Sequence, residues 1–136
     1  MPRKRPGRPS TIARYLLVER WRASVSSHYG APIGFEPHSA HLHFHGQLDE
    51  PLRGVSDAQL QIGSDPEWES ETRAGALIGI KPVVQFVINV PPLQFERLWQ
   101  LAPACRSIHI AFAEPYRSTA AIHAWSASTH PPDEDV

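Results

Sequence analysis

The sequence predicts a mainly β domain: an antiparallel β-sandwich or barrel-like fold with one short helix, over about residues 92–102, between strands. Three observations carry this. Apolar residues alternate with polar ones in several short runs, the two-residue period of strands with one buried face. Fourteen Pro and eight Gly in 136 residues interrupt the chain too often for long helices. A single stretch, PLQFERLWQLA, has helical spacing. A doubly wound parallel fold would need several helices alternating with strands, and one is visible.

Residues 1–10 form a basic, proline-rich segment with nothing to bury, and residues 129–136 are its acidic counterpart. Both are expected to be disordered tails around a single domain spanning residues 11–128. ARYLLVERWRASVSS fits two periods. Tyr15, Leu17, Trp21, Ala23 and Val25 alternate with polar residues, whereas Ala13, Leu17, Trp21 and Val25 fall four apart. The β-branched, aromatic and serine content favours a strand with the first set buried. AHLHFHGQL alternates cleanly, with Leu42, Phe44 and Leu48 on one face and His41, His43, His45 and Gln47 on the other. A turn over DEPLRGVSD leads to AQLQIG, a strand with Leu60 and Ile62 inward. SDPEWESETRAG is an acidic loop or edge, in which Trp68 is left open as core or ligand contact. ALIGIKPVVQFVINV is two strands, or one bent at Pro82. In the helix, prolines stand at the start, Leu93, Phe95, Leu98, Trp99 and Leu101 are apolar, and Pro103 ends it. RSIHIAFAEP and STAAIHAWSAS close the chain as a strand pair across EPYR, with Trp125 in the core.

Cys105 is the only cysteine, so no internal disulfide can form, which points to a reducing, cytoplasmic setting. Its position beside Ala104 suits packing better than nucleophilic chemistry. No apolar run reaches the length of a signal-peptide core or a membrane span, so no membrane partner is expected. Charge is unevenly distributed: residues 1–22 carry seven Lys and Arg against one Glu, and the remainder six against thirteen acids. A basic arm on an acidic body can reach a polyanion. Neither a nucleophile elbow nor a phosphate-binding Gly-Lys loop is present.

Two stretches suggest more specific chemistry. His41, His43 and His45 project from one face of a strand at alternate positions, and two imidazoles so spaced can converge on a divalent metal, with a carboxylate such as Glu50 completing the set. His43-Phe44-His45, four residues and then Glu50 resembles the first metal motif of the cupins, a family of small antiparallel β-barrels. Pro37 and Asp57 stand where that family has glycines, and its second motif has no counterpart. The resemblance implies His43, His45 and Glu50 as ligands, with His41, His109 or His123 as a further one. The competing reading makes the histidines one solvated strand face. In the arm, Gly7-Arg8-Pro9 is similar to the core of the AT-hook, a minor-groove peptide, with Pro6 where the family has arginine. Arg3, Lys4, Arg5 and Arg8 are accordingly candidates for weak, nonspecific contact with nucleic acid.

The functional expectation is therefore a non-catalytic binding module with no obligatory cofactor. It recognises a protein partner or a second copy of itself, and its basic arm reaches nucleic acid. The alternative is a small cupin-like metalloprotein holding a divalent ion at His41, His43, His45 and Glu50.

Overall fold

The computed structural model describes residues 10–27, 38–64 and 75–132. The basic-arm residues Arg3, Lys4, Arg5 and Arg8, and Trp68 with its acidic neighbours, lie outside the described residues. The strands are β1 (Thr11–Ser27), β2 (His38–Leu52), β3 (Val55–Ser64), β4 (Gly75–Gly79), β5 (Val84–Val90), β6 (Ser107–Ala113) and β7 (Ala120–Ser128). The helix α1 (Pro92–Leu101), followed by a 3-10 turn over Ala102–Ala104, lies between β5 and β6.

These strands form one closed barrel in the order β1-β2-β3-β5-β4-β7-β6, which corrects the sandwich alternative. Periodicity could not separate the two, because both architectures bury one face of each strand. Closure depends on the length of β1: its first half pairs with β6 from Thr11↔Ala113 to Leu17↔Ser107, and its second half pairs with β2. One ladder departs from the expected antiparallel rule. β4 and β5 form a hairpin, and β5 rather than β4 lies beside β3, so β3 and β5 run parallel.

The two-residue turn between β2 and β3 has Arg53 at φ 49° and Gly54 at φ 81°, the pair of left-handed conformations that a tight hairpin needs. Arg53 also ties this turn to the β6–β7 connection, donating to the Arg117 carbonyl and, at 3.0 Å, to that of Pro115.

The alternation expected for β2 and β3 is observed, and β5 shows the same pattern. Leu42, Phe44 and Leu48, then Leu60 and Ile62, then Val84, Phe86, Ile88 and Val90 are all buried in the barrel. Trp125 packs against this core, as expected. β1 is a strand throughout, but the face assigned to its first half was wrong. Leu16 is fully buried, so Tyr15 and Leu17 lie on the outer surface. A β-bulge between Val18 and Arg20 inserts one residue, Glu19, and reverses the parity. Beyond it Trp21, Ala23 and Val25 oppose Phe44, Leu42 and Ala40, with Arg20, Arg22 and Ser24 on the other face.

The helix buries Phe95 and Leu98, while Leu93, expected in its apolar set, is 62% exposed. The segment after β7 lies against the barrel. The Ser107 hydroxyl donates to the His130 carbonyl at 2.6 Å, holding that segment against β6. Among the described residues no helix is long and apolar enough to cross a membrane.

Candidate functional site

Register decides what surrounds the histidines. His41, His43 and His45 oppose Ser24, Arg22 and Arg20 on β1, and Gly63, Gln61 and Gln59 on β3. Directly opposed residues of an antiparallel pair share a face with Cβ atoms about 5 Å apart. The outer surface of β1-β2-β3 is thus a grid of two guanidiniums, three imidazoles and two carboxamides. β5 extends it with Gln85 beside Gln59 and Asn89 beside Gly63. The inward neighbours Leu42 and Phe44 are buried while the histidines are half-buried, so the imidazoles stand on the barrel wall and reach solvent.

Three carboxylates near this face, Asp57, Asp49 and Glu50, make contacts of their own. Asp57 accepts a hydrogen bond from the Gln47 amide. Asp49 Oδ1 accepts from the backbone N–H groups of Tyr15, at 2.9 Å, and Glu50, at 3.0 Å. Glu50 lies 3.8 Å from Arg14, whose Nε also donates to the Glu50 carbonyl at 3.0 Å. Among the described residues, neither Arg20 nor Arg22 forms an ion pair with an acid.

The candidate metal set is therefore divided. His41 and His43 are neighbours, with ring centroids 6.2 Å apart, and His45 continues the row. Glu50 is paired with Arg14 instead of joining them. His109 packs edge-on to Tyr15, with centroids 4.9 Å apart, on the β1–β6 surface, and His123 is exposed on β7. Among the described residues no group of three or more His, Cys, Asp or Glu could hold a metal ion. Cys105 is buried, and that burial pushes its thiol pKa up, so the sulfur stays protonated. A separate cleft of about 280 Å³, lined by Tyr15, Ser107, His109 and Ser126, lies under the segment after β7.

Reading the sequence alone missed Arg20 and Arg22 as part of the site. Their own alternation was a signal, since a basic residue at every second position of a strand defines a charged face. The strand opposite them could be known only from pairing.

Burial lowers the pKa of His43, and the charges of Arg22, His41 and His45 lower it further. His45 is lowered by burial and then by Arg20 and Arg22. The sign for stability follows directly. A histidine with a depressed folded-state pKa contributes stability that is fully present above the usual value of about 6.5 and is lost as pH falls through the lowered value. Both rings reach solvent, so the effect is modest. A His43→Gln/His45→Gln variant is expected to lose less melting temperature than the parent between pH 7.5 and pH 5. Parallel loss in the two proteins would remove this row as a source of acid sensitivity.

No protein-family model, no curated protein and no solved structure matches this chain. The functional reading therefore rests on the geometry of the face.

Proposed function

We propose that this protein is a non-catalytic binding module whose outer β1-β2-β3 face recognises an anionic partner, assisted by the basic arm at Arg3, Lys4, Arg5 and Arg8. The observation that carries the reading is the registered placement of Arg20 and Arg22 beside His41, His43 and His45, with no acid paired to either arginine among the described residues. Cations left without partners on a rigid sheet are already positioned for an anion, so little ordering entropy opposes binding. The surrounding glutamines supply neutral donors and acceptors for orientation.

The metal alternative draws on the same histidines but fits this donor set poorly. Its carboxylate is paired with Arg14, and two guanidiniums beside the imidazoles repel a cation.

The test is retention on immobilised heparin. Wild-type protein should bind at low salt and elute later than Arg20→Ala/Arg22→Ala. Deleting residues 1–9 should lower retention by a separate, additive step. A double variant that elutes with wild type would exclude the face, and passage of the wild type in the void volume at low salt would exclude the whole reading.

A further inference from the structure

Among the described residues, the proposed anion-binding face ends at an unpaired strand edge. The β1–β6 ladder stops at Leu17↔Ser107, and its last link is the Val18 N–H to the Arg106 carbonyl at 2.9 Å. From Arg20 to Val25, β1 is paired on one side with β2, and among the described residues no strand pairs with its other side. Three consecutive residues there, Arg20, Trp21 and Arg22, are all exposed.

The arginines share the outer face and lie about 7 Å apart along the strand. Trp21 points to the opposite face over the end of the core, where Phe44 is its cross-strand neighbour. It is 40% exposed and does not belong to the apolar set packed on the core. A large aromatic thus stands partly open to solvent between two exposed arginines.

Resting on the reading of this face as an anion-binding surface, we propose that its occupant is single-stranded nucleic acid crossing the open edge of β1. Phosphates lie on Arg20 and Arg22, and a base stacks on Trp21. Basic residues interleaved with an exposed aromatic are the chemistry that grips an unpaired strand: the charges follow the backbone, and the ring accepts any base by its π-face. A duplex keeps its bases stacked inside and would meet the arginines alone. The imidazoles of His41, His43 and His45, with Gln59 and Gln61, extend the same surface across β2 and β3.

The test uses the full chain with fluorescein-labelled oligo(dT), a duplex of equal length, and heparin. Oligo(dT) should bind more tightly than the duplex. Trp21→Ala should weaken oligo(dT) binding roughly 5- to 100-fold, the range for one lost base stack, and leave heparin retention unchanged. Trp21→Phe should restore most of the affinity, which separates stacking from damage to the fold. Arg20→Ala/Arg22→Ala should flatten the log–log salt slope by about 1.4, as expected for two lost contacts to a single strand. If Trp21→Ala and Trp21→Phe both bind oligo(dT) like wild type, or if the duplex binds equally well, the single-strand proposal fails while heparin retention keeps the anion-binding reading. Failure to bind heparin as well would overturn both.

Discussion

Gly46→Ala is expected to destabilise this protein by about 3 kcal/mol or more, because the added methyl group meets backbone that cannot swing away. A Cβ at Gly46 would sit 1.8 Å from the Leu17 carbonyl oxygen, 2.8 Å from the Leu17 carbonyl carbon and 3.3 Å from the Glu19 nitrogen. Those atoms belong to the stretch of β1 that bulges opposite Gly46, where Val18 is its register partner. Either the two strands separate, or the bulge is lost. Losing it would also carry Arg20 and Arg22 to the other face, since one residue of slip reverses every side chain beyond it. Thermal melting should therefore show a drop on the order of 10 °C, and under the proposed function heparin retention should weaken even in the material that folds. Gly79→Ala is the matched control, because a Cβ there has no atom within 4 Å. A Gly46→Ala protein that melts with wild type would show that the β1–β2 ladder absorbs the methyl group, against the contact just described.

The same six residues, HLHFHG, show how far sequence reasoning reaches. Alternation in residues 41–46 identifies a strand, sends Leu42 and Phe44 inward, and places all three histidines on one surface. It also contains an argument against the metal set. Glu50 lies five residues after His45, so in an unbroken strand it points to the opposite face. The structure irregularly pairs β2 between Gln47 and Leu52, and Glu50 there meets Arg14. What periodicity could not supply was anything requiring a partner. The bulge at Glu19 leaves no mark in composition, and it inverted the expected face for Tyr15 and Leu17. The pairing Arg22↔His43↔Gln61 depends on register across three strands, two of them joined by a long connection. Barrel closure rests on a contact between the first strand and the sixth, which no local pattern encodes. The helix was readable from its prolines and spacing, but the exposure of Leu93 depends on how α1 sits against the barrel.

The second large effect is expected inside the barrel. Phe86 on β5 and Phe112 on β6 meet edge-to-face with centroids 5.5 Å apart, and both are at most 1% exposed. Their strands are not neighbours: β4 and β7 stand between them in the barrel order. Those intervening strands share two registered pairs, Ala76↔Ala121 and Leu77↔Ala120, a short ladder compared with the seven pairs joining β1 to β6. Closure on that side therefore relies heavily on side chains filling the interior. Phe112→Ala should cost about 3–5 kcal/mol, a large share of the roughly 5–15 kcal/mol typical for a whole domain. Phe86→Ala should cost a similar amount, and the double variant should lose less than the sum of the two, because one aromatic contact is counted twice. Denaturant titration measures all three. Hydrogen exchange adds the location: the amides of Ala120 and Ala121 should lose protection in Phe112→Ala before those of Leu42 to Phe44 do. The β4–β7 seam lies across the barrel from β2, so Phe112→Ala, assayed well below its melting temperature, should bind heparin as wild type does. Uniform loss of protection would instead mean that the barrel opens only as a whole, with the β1-β2-β3 face tied to the same cooperative unit as the seam.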